Sequence, residues 1–184
     1  METKTETREY YSADEICSWP MFDGWSVCPA DPNFRVSIAP EALVRPSVLL
    51  GRGAVIKTCA EIGSGVVVKA GAVIGSGAVV EFDAVIGDDA VIGADAAVGY
   101  GAMVSTWAKV GHGAKVGHGS IIGFGAKVKA GAVIGSEAVV GSKARVGSWA
   151  IIGSDAVIGC GAVVEYGAVV EYGAVVKAGV VVKA

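Results

Sequence analysis

A six-residue register runs through most of this chain. Every sixth residue from Ile38 to Val182 is Val, Ile or Leu, without interruption. From Ala42 onward, the residue two places before each of these is Ala, with four exceptions: Val48, Val66, Ser120 and Val180. One hexad is too short to bury its own apolar side chains, so successive copies must stack on one another. The register therefore predicts a solenoid of short strands and tight corners.

The position of each side chain within a hexad follows from strand geometry. Side chains alternate across a strand, so Ala78 and Val80 are expected inside the solenoid and Val79 outside it. The residue three places after the large aliphatic is Gly or Asp in most hexads, as at Gly77 and Asp83. These residue types adopt positive φ at the least cost, which predicts the corners there. Trp107, Lys143 and Trp149 also occupy this slot and are expected to be strained.

This pattern resembles the hexapeptide-repeat superfamily of left-handed parallel β-helices. The resemblance covers residues 37–184 and implies an all-β fold of about eight triangular coils, each made of three hexads. At the ~4.8 Å spacing between strands, such a stack is roughly 38 Å tall. The general rule for parallel crossovers favours the right-handed connection, so the left hand rests on the resemblance alone.

The first 36 residues lack the register and are expected to form an N-terminal cap segment. Ser12 with Glu15 three places later has the pattern of a capping box, which predicts a short helix. The segment is interpreted as a lid that hides the strand edges of the first coil, with a role in substrate recognition as the alternative. Cys17 and Cys28 are close in sequence, but two thiols do not make a zinc site, and we interpret them as buried thiols.

Composition narrows the location and the partners of the protein. The net charge is -3, from 15 basic and 18 acidic residues, and the absence of a basic stripe with interleaved aromatic residues argues against nucleic acid. Gly and charged residues interrupt each apolar run well before the ~20 residues that a membrane span needs. The N-terminus lacks the apolar core of a signal peptide, and four cysteines without such a signal predict a reducing, cytoplasmic location.

One outward column of the solenoid is apolar along its whole length. It takes one residue from each coil: Leu49, Val67, Val85, Met103, Ile121, Val139, Val157 and Val175. Charged residues interrupt the outward columns of the other two faces. A continuous apolar strip of this size is more than a soluble monomer usually exposes, which predicts a subunit contact with copies of this chain. The family resemblance implies a cyclic homotrimer.

The C-terminal hexads are nearly identical to one another. Residues 161–166 and 167–172 have the same sequence. The next hexad, residues 173–178, differs from them in having Lys in place of Glu and Ala in place of Tyr. A terminal coil of this kind has open strand edges. Three interpretations stay open: a partner covers this coil, the sequence is truncated, or the array is idealised or engineered.

The chain has two histidines, His112 and His118, each two places after a core aliphatic residue. They are predicted at successive corners of one coil. Six extended residues span up to ~20 Å, so we expect no metal site shared by the two rings in one chain. The γ-class carbonic anhydrases also resemble this fold, but they need a third histidine. A carbonic anhydrase-like activity is therefore the third and least supported alternative.

Acyltransferases of the superfamily use one histidine as a general base, which takes the proton of a hydroxyl or amine that attacks an acyl thioester. The resemblance therefore implies acyl-CoA as co-substrate and His118 or His112 as the catalytic residue. His118 is slightly favoured because Tyr100 and Phe124 could wall a pocket beside it. No acidic residue is obviously placed to orient either ring. Four lysines near this coil could attract the phosphates of coenzyme A: Lys109, Lys115, Lys127 and Lys129.

Two segments resemble the tetrahydrodipicolinate N-succinyltransferase family more closely. They are Phe34–Arg45 and the run Gly101-Ala102-Met103-Val104-Ser105-Thr106-Trp107-Ala108-Lys109-Val110-Gly111. The resemblance implies succinyl- or acetyl-CoA as the donor. Ser105 stands where that family has a proposed catalytic Asp, and Glu137 lies roughly where its second acidic residue falls.

No loop insertion interrupts the register after Ile38. Enzymes on this scaffold usually carry a loop that shapes the acceptor pocket. The alternative to an enzyme is therefore a catalytically silent trimeric solenoid, structural or engineered, whose histidines are exposed corner residues. The sequence does not identify the acceptor.

Overall fold

The protein is described by a computed structural model that covers residues 10–18, 21–22, 25–27, 31 and 33–184. From residue 35 onward the chain winds into a triangular solenoid with three walls of parallel strands. Each strand pairs with the strand one coil away, and the register is constant, as in Val73 opposite Val91 and Ile74 opposite Ile92. Three hexads therefore make one coil, as predicted.

The elements follow one another with short corners between them. In chain order they are β1 (Tyr10–Ser12), α1 (Ala13–Cys17), β2 (Met21–Phe22), β3 (Trp25–Val27), β4 (Arg35–Ile38), β5 (Leu43–Val44), β6 (Leu49–Gly51), β7 (Val55–Ile56), β8 (Glu61–Ile62), β9 (Val67–Val68), β10 (Val73–Ile74), β11 (Val79–Val80), β12 (Val85–Ile86), β13 (Val91–Ile92), β14 (Ala97–Val98), β15 (Met103–Val104), β16 (Lys109–Val110), β17 (Lys115–Val116), β18 (Ile121–Ile122), β19 (Lys127–Val128), β20 (Val133–Ile134), β21 (Val139–Val140), β22 (Arg145–Val146), β23 (Ile151–Ile152), β24 (Val157–Ile158), β25 (Val163–Val164), β26 (Val169–Val170), β27 (Val175–Val176) and β28 (Val181–Val182).

The three walls are named here by the order in which each coil visits them. Face I contains β4 and every third strand after it, up to β28. Face II runs in the same way from β5 to β26, and face III from β6 to β27. Each coil therefore has three corners, I/II, II/III and III/I, and a residue at a corner has its neighbours one coil below and one coil above it.

The interior is built from the two residue classes that the register predicts. Ala78 and Val80 are buried, whereas Val79 between them is exposed. In every coil between the two ends of the stack the inward pair is buried, and the residue between the two is exposed or half-buried. Ser120, a polar exception in the small-residue column, is fully buried, and its hydroxyl donates to the carbonyl oxygen of Gly117 at 2.7 Å. Its polar atom is thus satisfied inside an apolar core.

The corners confirm the predicted slot for positive φ. Every sixth residue from Gly53 to Gly179 has a positive φ, whether or not it is glycine. The three expected exceptions have φ of 64° at Trp107, 60° at Lys143 and 59° at Trp149. Left-handed backbone costs a residue with a Cβ roughly 1–2 kcal/mol. Glycine would therefore be less strained than the present residue at each of these three positions.

The segment before the solenoid covers the strand edges of the first coil. Strand β1 pairs antiparallel with β6 on face III, and β3 pairs antiparallel with β4 on face I, with β2 added beyond it. The predicted capping box is present: the Glu15 amide donates to the Ser12 hydroxyl, and the Ser12 amide donates to the Glu15 carboxylate. These pairings are what a lid requires, because they occupy hydrogen-bonding groups that would otherwise be open.

Side-chain contacts tie this segment to the first coil. Arg52 forms an ion pair of 2.8 Å with Asp31, and its guanidinium lies 5.8 Å from the centre of the Phe34 ring. Tyr11 meets the same ring edge-on at 4.8 Å. A substrate-recognition role of the segment stays a prediction. The thiols of Cys17 and Cys28, interpreted from sequence as buried, lie outside the described residues.

The apolar column predicted from the sequence lies on face III. Its members are in register on neighbouring strands, for example Val85 opposite Met103 and Met103 opposite Ile121. Met103 and Ile121 are exposed in the single chain. In the described part of the chain, no helix has the length and apolar character that crossing a bilayer requires.

Candidate functional site

The two histidines lie at different corners of the same coil. His112 is at corner I/II, between β16 and β17, and His118 is at corner II/III, between β17 and β18. Both side chains are more than half exposed in the single chain, 68% for His112 and 53% for His118. The two histidines therefore lie at successive corners of one coil, as their six-residue spacing predicts.

The ring of His112 is anchored through one nitrogen. Its Nδ1 lies 2.9 Å from the carbonyl oxygen of Ala94 and 3.5 Å from Oδ2 of Asp95, both one coil below. A carbonyl and a carboxylate only accept, so Nδ1 carries the proton and donates to this pair. In the neutral ring Nε2 is then the acceptor atom, and no hydrogen bond from a described residue reaches it.

The ring of His118 is engaged on both nitrogens. Its Nδ1 lies 2.9 Å from the carbonyl oxygen of Tyr100, and its Nε2 lies 3.5 Å from Oε1 of Glu137. The Tyr100 ring stacks on the imidazole with centroids 5.0 Å apart. Phe124 lies at the next corner, III/I, and its ring is exposed. The second nitrogen of His118 therefore already faces a carboxylate.

The sequence-based expectation that no acidic residue orients either ring is wrong. Asp95 stands beside His112 from the coil below, and Glu137 stands beside His118 from the coil above. Glu137 reaches the ring because Gly119 has no side chain: a Cβ at Gly119 would clash with the Glu137 carboxylate. Writing the sequence with one coil per line would have placed each acid beside its histidine.

A groove of about 370 Å³ lies beside His112 at corner I/II. Its lining residues are His112, Gly113, Lys115, Ala130, Gly131, Val133, Trp149 and Ile151. The Trp149 ring closes the upper end of the groove and lies against Gly131. A Cβ built on Gly131 would be 2.8 Å from the indole. Nothing stands within 4 Å of a Cβ built on Gly113. The missing side chains at these two glycines leave the groove open.

The groove combines an apolar wall with the polar side chains of His112 and Lys115. Val133 and Ile151 point outward from neighbouring strands of face II, where they are opposite each other. Lys115 precedes them on the same face and is exposed. An apolar acyl or pantetheine chain fits such a wall, and a cation at its end fits a phosphate. Sequence reasoning missed this groove because it placed Trp149 at a corner without specifying the direction of its side chain.

The described residues contain no cluster of three or more His, Cys, Asp or Glu side chains able to hold a metal ion. Cys59 and Cys160 are free, exposed thiols on different coils.

Comparisons with known proteins agree with the repeat and with the fold. A family model described as the hexapeptide repeat of succinyl-transferase matches residues 84–104 and 150–184. Among solved structures, a UDP-N-acetylglucosamine acyltransferase from Campylobacter jejuni has a TM-score of 0.52 with this chain. The two are 21% identical, over 78% of this chain and 68% of that one. The chain is a left-handed β-helix built from hexapeptide repeats.

Further solved structures match this β-helix with lower scores. LpxA from Bacteroides fragilis is 17% identical, over 74% of this chain and 68% of that chain, with a TM-score of 0.47. A putative acetyltransferase from Bacillus cereus is 16% identical, over 80% and 72%, with a TM-score of 0.41. No curated protein matches the sequence. The likeness to the Campylobacter jejuni structure, at 21% identity, establishes the fold alone.

Proposed function

We propose that this β-helix transfers an acyl group from an acyl-CoA thioester to the hydroxyl or amine of a small acceptor, with His112 as the general base. The observation that carries the proposal is the anchored ring at the mouth of the groove. Nδ1 of His112 is held by Ala94 and Asp95, and the ring lines a groove with an apolar wall. A general base needs this combination of a fixed orientation and a free acceptor nitrogen.

The reaction balances with the residues of the groove. Nε2 of His112 takes the proton of the acceptor as its oxygen or nitrogen attacks the thioester carbonyl carbon. The carbon–sulfur bond then breaks, and the thiolate of coenzyme A leaves and receives the proton from the imidazolium. Asp95, 3.5 Å from Nδ1, stabilises the ring while it is positively charged.

The walls of the groove suit the donor. Val133, Ile151 and Trp149 provide apolar surface for the pantetheine arm, and Lys115 provides a positive charge for a phosphate. The match to a repeat model of succinyl-transferases supports succinyl- or acetyl-CoA as the donor. His118 was slightly favoured by the sequence, but its Nε2 faces Glu137, and we therefore assign the base to His112.

The proposal includes a homotrimer that buries the apolar column of face III. That column runs from Leu49 to Val175 without a charged residue, and its central members are exposed in one chain. Corner II/III, with His118, borders this face. Exposed free thiols at Cys59 and Cys160 fit a reducing compartment such as the cytoplasm.

The second candidate is a catalytically silent solenoid. The observation that favours it is the exposure of both histidines, 68% and 53%, together with a coil register that no loop interrupts. In that case the side chains at both corners are solvated, and the groove has no substrate.

Thioester cleavage distinguishes the two candidates. Release of free coenzyme A is measured with acetyl- and succinyl-CoA and a panel of small amines and alcohols, for the wild type, His112→Ala and His118→Ala. The two histidines occupy equivalent slots of one coil, so each variant is the matched control of the other. We expect His112→Ala to lower kcat by about 10²–10⁴-fold and His118→Ala to change it far less.

Two results would contradict this assignment. Loss of activity in His118→Ala alone would move the base to corner II/III, as the sequence favoured. Absence of turnover in the wild type would leave the silent solenoid, and equal turnover in all three proteins would exclude both histidines as the base.

A further inference from the structure

Face I carries three cations in direct register at the centre of the stack. Lys109 lies opposite Lys127, and Lys127 lies opposite Arg145, on neighbouring parallel strands. All three side chains are exposed. Strands in a sheet are ~4.8 Å apart, and like charges directly opposite each other are destabilising. We call this row the cation ladder.

No ladder cation forms an ion pair with a described carboxylate. The ion pairs Arg52–Asp31, His112–Asp95 and His118–Glu137 do not include a residue of the ladder. The residues that continue the column are apolar, Val91 below Lys109 and Val163 above Arg145. The whole chain has a net charge of -3, so the row is not part of a generally basic surface.

The upper end of the ladder opens into a cavity of about 350 Å³. Arg145 and Lys129 both line it, which adds a fourth cation at the corner. Glu165 and Tyr166 line it too, so the cavity also holds one carboxylate. The cations thus form a strip that crosses three strands along the coil axis and ends in a recess.

We propose that the cation ladder is a binding site for linear inorganic polyphosphate. The phosphate chain would run along the coil axis, and its oxygens would accept charge-assisted hydrogen bonds from Lys109, Lys127 and Arg145, with Lys129 at the end. A bound polyanion offsets the repulsion between the cations. The proposal does not depend on acyl transfer, because the ladder is on face I and the His112 groove opens onto face II.

Single-stranded nucleic acid is a less suitable occupant. Its general binding sites combine cations with aromatic side chains on which the bases stack. No aromatic residue stands between the cations of the ladder, since the strands β16, β19 and β22 contain only a cation and a core valine. A ligand with dense charge and no bases fits the row better.

The test uses titration calorimetry with medium-chain polyphosphate at several salt concentrations. Lys127→Gln removes the central cation, and Lys57→Gln is the matched control, since Lys57 is exposed at a corner of face I three coils below Lys109. We expect Lys127→Gln to weaken binding several-fold and to lower the slope of log K against log salt by about 1. Lys57→Gln should leave both values unchanged.

A second readout is independent of the titration. Without polyphosphate, Lys127→Gln should unfold at a higher temperature than the wild type, because the repulsion is relieved. Polyphosphate should then raise the unfolding temperature of the wild type more than that of the variant. A face that is merely solvated would show no difference in the response to polyphosphate.

Three outcomes would overturn the proposal. Equal losses in Lys127→Gln and Lys57→Gln would mean unspecific attraction. Tighter binding of a single-stranded oligonucleotide than of polyphosphate would assign the ladder to nucleic acid. Binding of orthophosphate as tight as that of the chain would mean a single-anion site. Failure of this test leaves the His112 assay unaffected.

Discussion

The two histidine corners share a local sequence but differ in structure. Both rings sit in a Gly-His-Gly run, and both donate from Nδ1 to a carbonyl oxygen of the coil below. At corner I/II the carboxylate of Asp95 shares the Nδ1 side, and Trp149 closes a groove above. At corner II/III an aromatic ring covers the imidazole and a carboxylate faces Nε2.

The difference comes from the neighbouring coils rather than from the neighbouring residues. In a solenoid, the residues around a corner are those at the same corner in the coils below and above it. Asp95 and Trp149 therefore decide what His112 can do, and Tyr100 and Glu137 decide what His118 can do. A short motif read along the chain would assign the two histidines the same role.

The variant with the largest expected effect tests whether face III, which borders corner II/III, contacts a second copy of the chain. Replacing Val85, Met103 and Ile121 together with Glu would place unpaired charges in the proposed subunit contact, each at a cost of several kcal/mol. Light scattering should then report a monomer, while circular dichroism stays that of the wild type. The matched control carries Glu at Val55, Val73 and Val91, the outward positions of face I, and should remain a trimer. A trimeric face III variant would place the contact on another face.

A smaller effect is expected from the glycines of corner I/II. Gly131→Ala and Gly113→Ala both place a Cβ at positive φ, which costs roughly 1–2 kcal/mol. At Gly131 the new Cβ also meets the Trp149 ring at 2.8 Å, whereas at Gly113 it meets nothing within 4 Å. Urea denaturation should therefore show a greater loss of stability for Gly131→Ala.

A double variant isolates the contribution of the ring. In a Trp149→Gly background, the stability cost of Gly131→Ala should fall to that of Gly113→Ala, because the clash is gone. An unchanged cost would mean that the indole does not rest on Gly131 in solution.

The smallest effect on stability is expected from Trp149→Gly itself. Glycine relieves the left-handed strain of roughly 1–2 kcal/mol, and the lost packing of a side chain that is exposed opposes this gain. We expect the fold to stay intact and the thermal midpoint to change little, while acyl transfer weakens because the groove loses a wall. Unfolding of this variant would show that the corner depends on the indole.

The sequence was sufficient for the coil and insufficient for the site. The six-residue register predicted the buried column, the outward column and the corner slot, because each depends on a single hexad and strand geometry. The partners of the histidines depend on which residues stack, and the sequence analysis did not compare Asp95 or Glu137 with the neighbouring coil. The groove also depends on the direction of the Trp149 side chain, which the hexad pattern does not specify.

The number of residues between paired strands is constant along the stack, and this has a consequence for the folding kinetics. From β4 onward each strand pairs with one three hexads away, as Val73 with Val91, in a chain of 184 residues. The relative contact order of the ladder is therefore about 0.1, within the range of helical bundles rather than of β-sandwiches. Parallel sheets usually fold slowly because distant segments must meet first. Here each new coil can add to a finished one, so we expect folding to proceed by propagation along the axis, with rates that depend little on the number of coils.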